Sequence, residues 1–441
     1  MPNPILPLWE YIPDGEPRVF GDRVYLYGSH DRPAGQSFCD QKLKVWSASV
    51  HDLNNWQCHG DSFRTKDGER PADTYWTNNA CFAPDVVEKD GKYYLYAYIV
   101  GAKGAIGVAD KPEGPFRLHS QYLYGPDDKV GDDGIFNDAG VLVDDDGKVY
   151  VYYGFTESNM NELDGSDMCT VVPGSYMRPV IDDREEVPID KRFFEASSPR
   201  KINGKYYLIY SPRCSSRLAY AISDSPRGPF TYKGYLVDNG VDYPGGNNHG
   251  SVACINGQWY VFYHRMTNNT IMSRRACVEK ITILPDGTIP PVEMTSLGFE
   301  EALNPYKVTP GEIACVLKGG CFIIEKDAFT RVVTRITSGC VMGYKYFDFG
   351  EDYTGDSMTL ALHVGGMGTT CRVRILLDGE DGEEIGVCEV GTHDGVYKAK
   401  VKNVTGRHAL YLKAEHTVEG WMANYFEGKP LFELRDLVFM K

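Results

Sequence analysis

The sequence predicts an all-β chain in which a five-bladed β-propeller precedes a jelly-roll-like β-sandwich. Five times along residues 21–263 a turn dipeptide leads into a tyrosine-rich strand. The dipeptides are Gly21-Asp22, Asp90-Gly91, Asp146-Gly147, Asn203-Gly204 and Asn256-Gly257. Successive copies lie roughly 53 to 70 residues apart, which suits a four-stranded propeller blade with its loops. Beyond the fifth copy, short strands with a different pattern indicate a second β-domain.

Each of these hairpins is preceded by a second short strand, so two antiparallel strands per repeat are directly visible. The preceding strands are Glu16–Phe20, Pro84–Val87, Gly140–Val143, Pro199–Ile202 and Ser251–Ile255. The turns at Asp110–Phe116 and Asp224–Phe230 are near copies of each other. We therefore expect the second and fourth blades to share their outer strands as well.

The end of the repeat sets the predicted domain boundaries. We assign residues 1–293 to the propeller, residues 294–306 to a linker and residues 307–441 to the sandwich. Within the last segment, Thr359–Val364 and Cys371–Leu377 are short alternating strands between Gly and Asp turns. A length of 441 residues also favours more than one domain.

Composition and charge exclude several classes of partner. A net charge of −15, spread along the chain, disfavours nucleic acid and anionic membranes, because both need a basic surface. No apolar stretch is long enough to cross a bilayer. Residues 1–7 carry no basic and apolar leader, so we expect a cytoplasmic protein, or a secreted one if a signal peptide was removed. The 12 cysteines form no CxxC pair and are expected to be reduced, buried thiols. The oligomeric state is left open.

The repeat also locates a candidate site. In a propeller the first strand of each blade lines the central channel, and ligands bind where these strands open. Counting back 11 or 12 residues from the second-strand tyrosine of each blade reaches five equivalent positions: Asp14, Phe82, Asp138, Glu195 and His249. An acidic residue before one strand is ordinary turn chemistry, but that does not explain the shared register. We expect three carboxylates and a histidine to converge on one cavity.

Such a cluster suits hydrolysis of a glycosidic bond. One carboxylic acid protonates the leaving oxygen, while a carboxylate acts on the opposite face of the sugar. A third carboxylate nearby raises the pKa of the acid by like-charge repulsion and orients it. Asp85 lies three places past the rim, inside the strand, so we expect it to contact substrate or to make a structural hydrogen bond.

The motifs around these positions resemble glycoside hydrolase family 43, whose members are five-bladed propellers acting on arabinose- and xylose-containing polysaccharides. The resemblance covers roughly residues 3–295 and rests on Asn3–Leu6, Pro13–Pro17, Phe82–Asp85, Asn137–Ala139, Glu195–Pro199 and His249–Ser251. It implies that Asp14 is the general base, Glu195 the general acid and Asp138 the residue that tunes and orients Glu195. It also implies inversion at the anomeric carbon, with carboxyl groups of base and acid about 6.5–9.5 Å apart.

The resemblance implies an exo-acting α-L-arabinofuranosidase or β-xylosidase that needs no cofactor for its chemistry. His249 resembles a channel histidine that approaches a bound cation, often calcium, largely through waters. Arg274 resembles a sugar-contacting arginine, although a solvated basic strand explains it equally well. Phe82 replaces a common tryptophan and Gly15 a common proline, so we expect a reshaped sugar pocket with Phe82 in contact with substrate.

The C-terminal domain resembles family 6 carbohydrate-binding modules through residues 406–412 and 431–439. The early Glu-containing strand that helps those modules to hold calcium corresponds here to Ile313–Val316, and a late Asp-Trp pair to Arg435-Asp436. We therefore predict that this domain lacks the usual calcium and packs against the propeller instead of gripping polysaccharide.

Two other functions compete with this prediction. A fructan-type furanosidase also joins a five-bladed propeller to a sandwich, but its Asp-Pro-Asn-Gly and Arg-Asp-Pro motifs are absent. A catalytically silent sugar-binding propeller would use the acids only as hydrogen-bond acceptors. All three catalytic positions keep the required residue types, which disfavours the silent propeller.

Overall fold

The computed structural model describes residues 1–101, 104–122 and 136–441 and confirms the predicted fold class. Five small antiparallel sheets form the propeller, and two larger sheets form the sandwich. In the described residues, blades I, II and IV have four strands, and blades III and V have three. No helix in the described ranges is long and apolar enough to cross a membrane.

The propeller strands follow one another in chain order within each blade. Blade I contains β1 (Glu16–Phe20), β2 (Arg23–Gly28), β3 (Lys42–Ser49) and β4 (Asp52–Arg64). Blade II contains β5 (Cys81–Lys89), β6 (Lys92–Ile99), β7 (Gly104–Ala109) and β8 (Arg117–Tyr122). Blade III contains β9 (Gly140–Val143), β10 (Val149–Tyr153) and β11 (Asn159–Leu163). Blade IV contains β12 (Phe193–Ile202), β13 (Lys205–Pro212), β14 (Arg217–Ser223) and β15 (Thr231–Asp238). Blade V contains β16 (Ser251–Ile255), β17 (Gln258–Thr267) and β18 (Thr270–Ile281).

Local turn chemistry explains why the inner two strands of each blade pair in register. Asn203 and Asn256 have φ of 51° and 49°, and Gly204 and Gly257 that follow them have φ of 77° and 80°. Two successive residues with positive φ make the tight hairpin turn whose twist matches that of the flanking strands. Asn and Gly adopt this conformation at the least cost, so these dipeptides fix the hairpin registers.

The N-terminal segment closes the propeller. It runs beside β18, where Ile5 N–H donates to the Ala276 carbonyl at 2.9 Å. The Asn3 side chain donates to the Val278 carbonyl at 2.8 Å and accepts from its N–H at 2.9 Å. The chain start is therefore joined to the last blade, which holds the five-fold ring together.

The sandwich consists of strands β19 to β29. They are β19 (Thr309–Pro310), β20 (Val316–Lys318), β21 (Phe322–Asp327), β22 (Thr330–Ile336), β23 (Val341–Asp348), β24 (Ser357–Gly366), β25 (Cys371–Leu377), β26 (Glu383–Val390), β27 (Gly395–Lys402), β28 (Arg407–His416) and β29 (Phe432–Met440). One sheet has the order β21-β22-β29-β24-β27 with β19 paired to β29, and the other β20-β23-β28-β25-β26. The helical turns are Ile189–Lys191, Gly311–Ile313, Gly420–Met422 and α1 (Ala423–Phe426).

The two domains share a continuous hydrophobic core. Val261 and Tyr263 of blade V belong to the same buried cluster as Ile313 and Leu317 of the sandwich. The segment 294–306, predicted as a linker, contacts both domains. Its Ser296 N–H donates to the Lys345 carbonyl of the sandwich at 2.9 Å, and the ring of its Phe299 lies 5.4 Å from that of Tyr260 in the propeller. The likeness of the sandwich to a family 6 module, and its lack of calcium, stay predictions.

Candidate active site

The five equivalent rim positions meet in one cavity of about 520 Å³. Asp14, Phe82, Asp138, Glu195 and His249 all line it, together with Arg274. Each comes from a different blade, apart from Arg274, which shares blade V with His249. The spacing in the repeat therefore corresponds to a shared position in space.

Irregular backbone at the start of the inner strands turns these side chains into the cavity. Asp14 and Asp138 have φ of 56° and 50°, and Ala83 and Ala196, which follow the rim residues Phe82 and Glu195, have φ of 37° and 71°. Positive φ at residues other than glycine is uncommon and clusters at functional sites. The pairing of β12 with β13 is also irregular on both sides of Glu195, as expected of a bulge that redirects a side chain.

Asp14 is a buried carboxylate held in its ionised form. Its Oδ1 accepts from Arg274 Nη1 at 2.8 Å, and its Oδ2 accepts from the Ser29 hydroxyl at 2.7 Å. Burial alone would raise the pKa of Asp14, but the charge of Arg274, with smaller contributions from His249 and His264, lowers it to about 2. Asp14 is therefore an anion that can accept a proton at neutral pH.

Arg274 is fixed from several sides. Asp31 accepts from its Nε at 2.8 Å and from its Nη2 at 3.0 Å, and the guanidinium lies 5.0 Å from the ring centroid of Phe38. Bidentate pairing with a carboxylate fixes the plane of a guanidinium as well as its position. Arg274 is thus a buried element of the site and not part of a solvated basic strand.

Asp138 and Glu195 form a pair of carboxyl groups that retains a proton near neutral pH. Asp138 is buried and Glu195 is partly buried, and Asn137 Nδ2 donates to Glu195 Oε2 at 3.4 Å. Burial, followed by the negative charge of Asp14, raises the pKa of Glu195 to about 7. Burial and the charge of Glu195 raise the pKa of Asp138 well above its usual range. The two carboxyl groups therefore titrate together and retain a proton near neutral pH.

His249 lies between the two aspartates. Its Nδ1 is 3.7 Å from Asp14 Oδ1 and 3.9 Å from Asp138 Oδ2. Burial lowers the pKa of His249, so the ring is neutral at pH 7. Among the described residues no group of three or more His, Cys, Asp or Glu side chains could hold a metal ion. The described His, Cys, Asp and Glu side chains around His249 therefore form no cluster of three direct metal ligands.

The structure does not bring Asp85 into the cavity. Its Oδ1 accepts from Arg18 Nε at 2.9 Å, and its Oδ2 accepts from Arg18 Nη2 at 2.6 Å and from Val141 N–H at 2.7 Å. These partners belong to blades I and III, while Asp85 belongs to blade II. Of the two predicted roles, the structural hydrogen bond describes its contacts, because both carboxylate oxygens are committed to joining blades.

The remaining wall of the cavity is strongly apolar. It is formed by Phe38, Phe82, Tyr98, Phe155, Phe194 and Ile271. A pocket with apolar walls and a few charged groups at one end is the usual form of a small-ligand site. The aromatic faces can pack on a sugar ring while the carboxylates reach its polar atoms.

Comparison with known proteins agrees with this geometry. Residues 1–289 match the model of glycosyl hydrolases family 43. The chain belongs to this family. It is therefore a glycoside hydrolase, as the resemblance of its motifs predicted.

Relatives of this family 43 chain include a xylosidase/arabinosidase of Thermoclostridium stercorarium, 41% identical over 362 residues, which are 74% of this chain and 73% of the relative. A solved β-xylosidase/α-arabinofuranosidase of family 43 from a compost microbial metagenome, in a calcium-free complex with xylotriose, is 29% identical with a TM-score of 0.54. That match covers 66% of this chain and 99% of that one. A family 43 arabinoxylan arabinofuranohydrolase of Bacillus subtilis, solved with cellotetraose, covers 100% of this chain and 97% of its own at 24% identity and a TM-score of 0.55, which shows the shared fold.

Several residues of the family 43 site were missed in the sequence. Ser29 and Asp31 follow β2. The Ser29 hydroxyl donates to Asp14, and Asp31 accepts from Arg274. His264, on β17, accepts from Asp14 N–H through Nδ1 at 3.3 Å, and its Nε2 lies 3.0 Å from the Asn247 carbonyl. Burial lowers the pKa of His264 to about 3, so this ring acts as a neutral hydrogen-bonding support. None of the three lies at the repeated rim position or in a motif that carries the family resemblance.

Proposed function

We propose that this enzyme removes single α-L-arabinofuranosyl and/or β-D-xylosyl residues from arabinoxylan- or arabinan-derived oligosaccharides with inversion at the anomeric carbon. The observation that carries the proposal is the contrast between two carboxyl groups in one cavity. Asp14 is ionised beside Arg274, whereas Glu195 keeps its proton to about pH 7. Two carboxyl groups with pKa values pushed apart are what acid and base catalysis require.

The reaction then runs in one step. A water molecule attacks the anomeric carbon and gives a proton to Asp14. The bond from the anomeric carbon to the glycosidic oxygen breaks, and Glu195 donates its proton to that oxygen. Asp138 and Asn137 hold Glu195 in place, and the free sugar carries the water oxygen on the opposite face.

The shape of the site supports an oligosaccharide substrate. The cavity is lined by one patch of aromatic side chains and closed by the carboxylates, which suits one terminal sugar ring. A second pocket of about 600 Å³ shares Phe38, Phe82 and Val100 with it and adds polar groups, among them Arg32 and Asn79. The rest of an oligosaccharide can lie there. The names of the relatives support arabinose and xylose as the sugars.

Calcium near His249 stays a prediction from the resemblance. The negative charge of Asp14 is balanced by Arg274, and His249 lies close to both Asp14 and Asp138. The proposed step uses only Asp14, Glu195 and water, so we assign no part of the chemistry to a cation.

The pH dependence of kcat/KM should show the state of Glu195. Because Glu195 donates only when protonated, kcat/KM is expected to fall as the pH rises through about 7. Asp14, with a pKa of about 2, should impose no acid limb until far below pH 4. Initial rates on p-nitrophenyl xyloside and arabinofuranoside in constant-ionic-strength buffers give the profile. A flat profile from pH 6 to 9 would contradict the assignment of Glu195 as the acid.

A substrate panel tests the proposed function itself. Arabino- and xylo-oligosaccharides are incubated with the wild type and with Glu195→Ala and Asp14→Ala variants, and released monosaccharides are measured. We expect release of arabinose or xylose by the wild type only. Hydrolysis that is unchanged in both variants would overturn the site assignment, and binding without turnover would favour a silent sugar-binding propeller.

A further inference from the structure

The hairpin that carries Arg274 rests on the β-sandwich. β17 and β18 are joined by Asn268 and Asn269, which have φ of 55° and 52°. Beyond this turn the strand pairing is irregular, since Thr267 pairs with Thr270 but Met266 pairs with Arg274. The three residues left over on β18 form a bulge, and its first residue, Ile271, lines the catalytic cavity beside Arg274.

Asn268 connects this bulge to the sandwich. Its N–H donates to the Ile323 carbonyl at 2.8 Å, and its Oδ1 accepts from Glu325 N–H at 2.8 Å. Both partners lie on β21, the terminal strand of its sheet, so Asn268 pairs with an otherwise open strand edge. On its other side Asn268 Nδ2 donates to the Ser273 hydroxyl at 3.0 Å. Ser273 precedes Arg274 directly.

The same strand also supports the segment that leads to Asp14. The Tyr11 hydroxyl donates to Glu325 Oε2 at 2.6 Å, and Arg331 Nη2 donates to the same carboxylate oxygen at 2.8 Å. The Tyr11 carbonyl in turn accepts from the N–H of Asp31 at 3.0 Å, and Asp31 is the residue that grips Arg274. β21 is thus in contact with both segments whose relative position sets the Asp14–Arg274 pair.

We propose that the sandwich is a structural part of the active site and that Asn268, held by β21, is a positioning residue that fixes Arg274 against Asp14. A bidentate or charge-assisted contact loses most of its effect when one partner moves by about 1 Å, and such a shift at an active site costs up to about 100-fold in rate. The sandwich therefore contributes to catalysis without touching substrate. For its kinetic readout this inference rests on the proposed function.

Asn268→Gly tests the inference, with Asn269→Gly as the matched control. Glycine suits the positive φ at both positions, so each variant keeps the turn. Only the first removes the side-chain bonds to Glu325 and Ser273, because the Asn269 side chain is exposed. We expect Asn268→Gly to lower kcat/KM about tenfold or more, and Asn269→Gly to stay within about twofold of the wild type.

The pH profile separates positioning from plain loss of stability. Asp14 faces Arg274, His249 and His264 and interacts electrostatically with Asp138 and Glu195, and of these groups only Arg274 is displaced in Asn268→Gly. Its pKa of about 2 should therefore rise toward the ordinary value of about 4, which moves the acid limb of kcat/KM upward. Ser273→Ala removes the hydrogen bond between Asn268 and Ser273 by deleting the acceptor, and it should shift the acid limb of kcat/KM in the same direction. Asn268→Asp keeps an acceptor for Glu325 N–H and for the Ser273 hydroxyl, so it should restore most activity.

Two results would overturn the inference. One is that Asn268→Gly has the same kcat/KM, and the same acid limb in its pH profile, as the control Asn269→Gly. The other is a loss of activity in Asn268→Gly and Ser273→Ala that follows the melting temperature while the acid limb stays in place. Xylose affinity measured by calorimetry should follow the same order as kcat/KM and needs no turnover. A wild type that binds xylose without cleaving any substrate would contradict the proposed function and leave this test intact.

Discussion

Glu195→Gln should lose about 10³-fold in kcat on unactivated xylo- or arabino-oligosaccharides. Glutamine has nearly the same shape and can still accept the hydrogen bond from Asn137, but it has no proton to donate to the leaving oxygen. A 2,4-dinitrophenyl xyloside needs no such proton, because its leaving group departs as a stable anion. The loss on this substrate should therefore be much smaller. Comparing the two substrates, with Glu186→Gln as a control at an exposed residue of the segment that leads into blade IV, checks the assignment.

The same variant should also lose its alkaline limb. The fall of kcat/KM through about pH 7 is attributed to Glu195, so its removal should leave a flat profile in that range. Equal losses on the activated and unactivated substrates would contradict the role of Glu195 as general acid. So would an alkaline limb that persists in Glu195→Gln.

Asp14→Gly should be inactive in ordinary buffer, with kcat at least about 10³-fold lower on every substrate, whatever its leaving group. Asp14 has a φ of 56°, which glycine adopts without strain, so the variant leaves a gap and little backbone distortion. Without the carboxylate no group removes the proton from the attacking water. Arg274 keeps its pairing with Asp31, and Asn268 keeps its bonds to Glu325 and Ser273, so the guanidinium stays in place.

Azide should restore turnover of this variant. The anion can enter the space left by Asp14, pair with Arg274 and attack the anomeric carbon without needing a base. From an aryl β-xyloside the new carbon–nitrogen bond forms on the face opposite to the bond that breaks, which gives α-xylosyl azide. Glu195→Gln should show no such rescue, because Asp14 still fills the space. Formation of β-xylosyl azide, or equal rescue of both variants, would contradict the role of Asp14 as general base.

The fold could be predicted because its information is local and repeated. Asn203-Gly204 and Asn256-Gly257 adopt the positive-φ turns that those dipeptides favour, and the tyrosine-rich strands follow at once. The rim position could be predicted for the same reason, since equivalent places in five blades must meet around one axis.

The supports of the site could not be predicted in this way, because they depend on contacts between distant segments. Asp31 follows the second strand of blade I and pairs with Arg274 of blade V, which is 243 positions away in the sequence. Asp85 has the residue type and place of a substrate contact, but Arg18 of the neighbouring blade I donates to both of its carboxylate oxygens. In the sequence Asn268 has the features of an ordinary turn residue. Its role as a connection between the hairpin and the sandwich depends on the packing of β21 against that hairpin.

Hydrolysis by direct attack of water, with Asp14 as base and Glu195 as acid, is the central claim. The most direct measurement is a proton NMR time course of aryl β-xyloside hydrolysis, recorded at high enzyme concentration before the product mutarotates. We predict that α-xylose appears first and that the β-anomer grows in only later. If β-xylose is the first product, the reaction retains configuration, and the assignment of Asp14 as a base acting through water is contradicted.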